Sequence, residues 1–120
     1  MELNNRLHDS MLKNRVYSQY SKKAAILLGE MIHLYRKKRK WSAQDLSDRA
    51  GISRTTLRKI EKGDMKCEIG IIFEVATLVG ISLFDLDSNA LDSLTSYTKD
   101  KISLLPKSVR ASKESIDDDF

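Results

Sequence analysis

The stretch "SAQDLSDRAGISRTTLRKIEKG", Ser42 to Gly63, decides how this chain is read. Ser42 can cap a helix, and Asp45 stands three residues on, where a reciprocal partner belongs. Leu46 and Ala50 then share one face of a short helix. Gly51 ends it, because a residue just past a helix that needs positive φ favours glycine. Ser53 caps a second helix that runs to about Lys62, turns Leu57 and Ile60 inward and stops at Gly63. Ser47 and Gly51 are placed where the two helices come closest, a position that asks for small residues. Left outward on the second helix are Arg54, Thr55, Arg58, Lys59 and Lys62. Long cations and hydroxyls therefore occupy one side, and apolar anchors the other.

Two short helices joined by a tight glycine turn are the helix-turn-helix arrangement. A DNA major groove admits an α-helix, arginine or lysine can bridge the acceptors of guanine, and a threonine methyl can touch the thymine methyl. In that docking geometry the N-terminal residues of the second helix meet base edges. We therefore expect Arg54, Thr55 and Lys59 to read bases. Thr56 and Arg58 can face either a base or a phosphate. Lys40, Ser42, Gln44 and Lys62 are expected at phosphates, together with the amides that open the first motif helix.

The charge agrees with a polyanionic partner. The 120 residues carry a net charge of +4. Its distribution says more than its sum: residues 36–62 hold ten cations against three acids, and the segments after them are net acidic. A concentrated cationic block suits nucleic acid.

Outward from the motif the periodicity is helical throughout, and no stretch alternates as a strand would. Ser21 to Arg39 reads as a helix with one stripe of Leu28, Ile32 and Tyr35 and a second of Leu27, Met31 and Leu34. An apolar face this wide predicts more than one packing neighbour. Glu68 to Val79 reads as a fourth helix, with Ile69, Ile72, Phe73, Ala76 and Val79 inward, and the outward pair Ile71 and Val75 is more often core than interface. Ser82 and Asp85 open a short fifth helix with Leu83, Phe84 and Leu86. Ser88 is a cap for a further helix carrying Leu91, Leu94, Thr98, Ile102 and Leu105, which ends before Pro106. The expected fold is all-α. Residues 1–20 form an N-terminal arm and 21–87 the DNA-binding domain. Residues 88–105 form a C-terminal helix whose Leu91, Leu94 and Ile102 suit the domain core, a second copy or a kinase partner, and 106–120 a flexible tail. The terminal Asp117, Asp118, Asp119 and Phe120 offer a docking peptide, an aromatic anchor beside acids, or else a solvated end.

Several functions find no support. Cys67 is the single cysteine, so no intrachain disulfide framework exists. His8 and His33 have no spaced partner ligands, and neither a nucleophile–base pair nor a glycine-rich phosphate loop is present. No cofactor, metal or enzymatic activity is expected. No apolar run is long enough to span a bilayer and no signal-peptide core interrupts the charged N-terminus, so a cytoplasmic protein with no membrane contact is expected.

"LGEMIHLYRKKRKWSAQDLSDRAGISRTTLRKIEKG", continued through "IGIIFEVATLVGISLFDL", resembles the Xre/λ-repressor-like helix-turn-helix family over about residues 24–87. The resemblance implies a compact five-helix domain, dimeric on palindromic operator DNA, here extended by the C-terminal helix. One departure is visible. Many members carry a glutamine that braces the second helix at the position of Ala43, and here Gln44 follows it instead. "TTLRKIEKGD", "IGIIFEVATLVGISLFD", "LLPKSVR" and the terminal "DDDF" are further similar to HipB-like regulators. That likeness implies a repressor that serves as antitoxin to a HipA-like kinase toxin and regulates its own operon. Two alternatives stay open: an interaction module that mainly sequesters the kinase, and a stand-alone phage-type or stress regulator.

Overall fold

The computed structural model describes residues 15–107 and contains only helices there. They are α1 (Gln19–Lys38), α2 (Ala43–Ala50), α3 (Arg54–Glu61), α4 (Ile69–Leu78), a 3-10 turn (Leu83–Asp85) and α5 (Ser88–Ser103). Two compact units result, one up to Leu83 and one from Phe84 onward. Among the described residues no helix is long and apolar enough to cross a membrane.

In the first unit α1 packs on α3, and α2 packs on both α3 and α4. One core joins all four helices: Ile32 from α1, Leu46 from α2, Leu57 and Ile60 from α3, Val75 and Ala76 from α4, closed by Val79 and Ile81. The buried face of α4 passes through Ile72, Val75, Ala76 and Val79, the i, i+3, i+4, i+7 pattern of an amphipathic helix. That phase agrees with the core reading of Val75 and corrects the inward placing of Ile69. Val75 is fully buried, and Ile69, which opens the helix, is 67% exposed.

Other boundaries move for local reasons. α1 begins at Gln19, because Ser18 is the cap and its Oγ accepts from the Ser21 amide. Ser21, the expected start, therefore lies inside the first turn. The short fifth helix is a single 3-10 turn, since Phe84 and Asp85 both take φ of 58° and cannot propagate an α-helix. The cap of α5 is Asp87, whose Oδ1 accepts from the Ala90 amide at 2.8 Å, and Ser88 is the first helical residue. Of the second stripe of α1, Met31 packs against the core while Leu27 and Leu34 are exposed. The arm's first fourteen residues and the docking candidates Asp117, Asp118, Asp119 and Phe120 lie outside the described residues.

Candidate nucleic-acid interface

The corner between α2 and α3 forms as its sequence dictates. Ser42 Oγ accepts from the Asp45 amide at 3.0 Å, and Asp45 Oδ2 accepts from the Ser42 amide at 2.8 Å, a complete capping box. The Ser42 backbone N–H lowers the Asp45 pKa most, the Ser42 hydroxyl adds to it, and Arg49 contributes a weaker pull. α2 ends at Gly51 with φ of 68°. A Cβ there would meet nothing within 4 Å, so this glycine is required by its left-handed backbone alone, and the expected close approach is absent. Ser47, by contrast, is fully buried, as a small residue between helices should be. Ser53 Oγ caps α3 by accepting from the Thr56 amide at 3.0 Å.

Two contacts hold α3 against α1. Gly29 is the closest: a Cβ on it would lie 2.6 Å from the carbonyl oxygens of both Ile60 and Glu61. At the far end Gly63, at φ of 80°, brings the chain against the Ile26 backbone. The second contact is ionic. Arg36 is 7% exposed. Its Nε donates to Glu61 Oε2 at 2.8 Å, its Nη2 to Glu61 Oε1 at 3.1 Å and its Nη1 to the Trp41 carbonyl at 3.1 Å. Arg36 is thus removed from the cationic surface in which composition alone had placed it, and its charge is met by an acid from the same block.

Further cations of that block are engaged. The Arg39 and Arg49 guanidiniums stand 5.2 Å and 4.2 Å from the centre of the Trp41 ring. Arg39 Nε also donates to the Val79 carbonyl at 2.9 Å. Gln44 Nε2 donates to Asp48 Oδ1 at 2.7 Å, one turn on, so one of its two amide N–H donors is used within α2 and the other stays open. The Ser42 amide is likewise taken by Asp45, which leaves Ala43 and Gln44 to supply the open backbone donors at the start of α2. Ala43 packs against the core, and beside it opens a cleft of about 170 Å³ lined by Arg36, Arg54, Leu57, Arg58 and Glu61.

What remains on the surface is the outward side of α3. Arg54, Thr55, Arg58 and Lys59 are exposed, Thr56 is half-buried beneath its bond to Ser53, and Leu57 and Ile60 are buried. Among the described residues the one ion pair is Arg36–Glu61, so the three cations of this face are free of acids. Lys62 caps the C-terminus of α3 and is exposed. Lys40 is exposed in the α1–α2 link, in a left-handed conformation at φ of 60°. After α3, burial pushes the Cys67 thiol up, Asp64 adds to this and Lys59 opposes it, so Cys67 stands as a neutral thiol at neutral pH.

The sequence reading missed Gly29 and the Arg36–Glu61 pair. Both depend on which residues of α1 meet α3, a long-range registry that local pattern does not carry. A glycine inside a strongly helical run was the one available signal for the first.

Comparison with known proteins agrees with this geometry. Residues 32–86 match the HTH_3 family model, described as Helix-turn-helix. No curated protein and no solved structure matches the chain. Residues 32–86, from the middle of α1 to just past the 3-10 turn and a little under half of the chain, are thus similar to the helix-turn-helix family, a match that supports a DNA-binding transcriptional regulator of the Xre-like kind.

Proposed function

We propose that this chain is a sequence-specific repressor whose α3 enters the major groove of operator DNA, with Arg54, Thr55 and Lys59 reading base edges. Thr56 and Arg58 face a base or a phosphate, and Lys40, Ser42, Gln44 and Lys62 lie along the backbone. The observation that carries the reading is the two-sided build of α3: its cations are exposed and unpaired while Leu57 and Ile60 are sealed in the core. A helix fixed by its inner side can offer its outer donors without rearrangement, which limits the entropy lost on binding. Two copies would set two recognition helices about one DNA turn apart, ~34 Å, on a palindromic site.

The experiment is Arg54→Ala, assayed against the preferred operator and a panel of single-base variants. The expected loss is about 1–3 kcal/mol on the operator, with relaxed preference at one position of each half-site. Equal weakening on every sequence would remove Arg54 from base reading. The likeness of residues 55–85 and of the tail to HipB-like regulators supports the finer reading, an antitoxin that represses its own operon and binds a HipA-like kinase. Co-expression with the kinase-like product of an adjacent reading frame tests it. Failure to co-purify refutes the antitoxin role and leaves the DNA-binding role standing.

A further inference from the structure

The second unit carries an apolar groove of about 320 Å³, walled by Phe84, Leu86, Leu91 and Leu94 and limited toward the C-terminal end of α5 by Lys99. That volume lies near the lower end of the ~300–1,000 Å³ usual for small-molecule sites. All of the lining comes from this one unit. One wall is strained. Phe84 and Asp85 both take φ of 58°, where a bulky aromatic is a genuine outlier. Phe84 gains little packing in return, since it is 76% exposed. Strain of this kind clusters at ligand clamps, and what the turn provides here is the aromatic side of the groove. The polar groups are few. Lys99 is the one charged residue in the lining, and Asp85, Asp87, Asp92 and Asp100 all lie outside it. Among the described residues Lys99 meets neither an acid nor a ring, whereas Lys101 lies 5.1 Å over the Tyr97 ring. Thr98 Oγ1 donates to the Leu94 carbonyl at 2.7 Å, so its proton is spent. The Thr95 hydroxyl, exposed in the lining one turn before Lys99, stays open.

We propose that this groove binds a medium-chain carboxylate, with its chain along Leu91, Leu94 and Phe84 and its head on the Lys99 ammonium and the Thr95 hydroxyl. Charge selects the ligand. An uncompensated ammonium at the end of an apolar groove favours an anion with an apolar body: the head gains a charge-assisted hydrogen bond and the chain leaves water. Length agrees. Leu91 to Lys99 spans about 12 Å of helix, the reach of an extended chain of roughly eight to ten carbons. The build of α5 agrees as well. None of its sixteen residues is buried, and its serines, threonines and aspartates are weak helix formers. A ligand lying along it supplies packing that the helix lacks.

Direct binding to the full chain, without DNA, tests this. Decanoate, kept below its micellar concentration, should saturate at one molecule per chain in equilibrium dialysis and raise the helix content seen by circular dichroism. Decylammonium, the same chain length with the charge reversed, should bind at least ~10-fold more weakly. Lys99→Met should erase that preference and Lys101→Met should keep it. Leu94→Trp should block the groove; should it lose helix content, the two lysine variants decide alone. Uptake without saturation, decylammonium held as tightly as decanoate by the wild-type chain, or equal losses in the two lysine variants would overturn the proposal. So would a chain that takes up no decanoate; were that chain a dimer broken by Leu94→Trp, the groove would belong to a second copy. None of these results touches the base preference measured with Arg54→Ala, so the two readings fail separately.

Discussion

Glu61→Ala is the most searching perturbation of this domain. It leaves the Arg36 guanidinium with one remaining partner, the Trp41 carbonyl, inside a site where the two side chains are 9% and 12% exposed. Two bonds to a charged acceptor vanish, each worth about 1.5–3 kcal/mol. Breaking one side of a buried pair typically costs about 3–5 kcal/mol, since the orphaned charge keeps its desolvation penalty. For a domain of this size each kcal/mol lowers the midpoint by roughly 4–8 °C, so a fall of about 12–40 °C is expected. Thermal unfolding followed by circular dichroism measures it, and urea unfolding gives the free energy directly. Two controls give the number its meaning. The double variant Arg36→Met/Glu61→Leu should recover most of the loss, because an apolar pair of similar volume carries no desolvation debt. The loss in Glu61→Ala should also persist at ~1 M salt, where a surface pair would be screened out. A cost below ~1 kcal/mol, or a double variant as unstable as the single, would refute the view that this pair clamps α3 to α1.

Three further outcomes are expected. Gly29→Ala should destabilise by about 1–3 kcal/mol, the usual cost of overpacking, because its Cβ would press on the Ile60 and Glu61 carbonyl oxygens; a neutral result by thermal melting would mean that α1 and α3 part easily. The folded-state pKa of Asp45 is depressed, so its stabilising contribution is complete above its unfolded value of about 3.9 and is lost as pH falls through the lower folded value. Asp45→Asn should therefore lower the urea midpoint at pH 7 and converge with wild type in strong acid, and a gap that stays constant with pH would exclude the carboxylate as the cause. Lys40→Ala should weaken binding to every DNA sequence alike and reduce the salt slope by about one per site lost; an unchanged slope in titrations across salt concentrations would remove Lys40 from the backbone contacts.

Most of the corner was legible because its signals are local. Ser42, Asp45, Gly51 and Ser53 each act within four residues of themselves, and the structure uses each at its expected place. Even there only one of the two reasons for Gly51 holds, its left-handed backbone, since backbone conformation and close packing both ask for glycine and only coordinates separate them. The phase of α4 was harder. An almost wholly apolar run contains several helical stripes, and the face that turns inward is chosen by Leu46 and Ile32 across the core. The fate of the basic block was not legible at all. Arg36, Arg39 and Arg54 look alike in sequence, yet one is buried on Glu61, one lies against Trp41 and the Val79 carbonyl, and one is free.

That sorting of cations is what makes the proposed interface plausible as chemistry. A groove-binding helix must hold its position while its outer side carries like charges at close spacing, which repel one another and favour unfolding. Arg58 and Lys59 lie in the last turn of α3, where the helix dipole welcomes cations; Arg54 lies in the first turn, where it does not. The unfavourable charge at that end is offset by anchoring: Ser53 caps the helix from below, Leu57 fixes its inner side, and Arg36 with Gly29 secures its far end to α1. Stability is thus concentrated on the inward and C-terminal sides of α3, and the N-terminal outward corner is left uncompensated until a polyanion meets it. A phosphate-lined groove would relieve that charge on binding, so DNA should raise the thermal midpoint of the domain, and Arg54→Ala should raise the midpoint of the free protein even as it weakens operator affinity. Opposite signs in the two measurements would mark Arg54 as a residue kept for its ligand; a loss in both would make it a structural residue of the corner and dismiss it as a reader of bases.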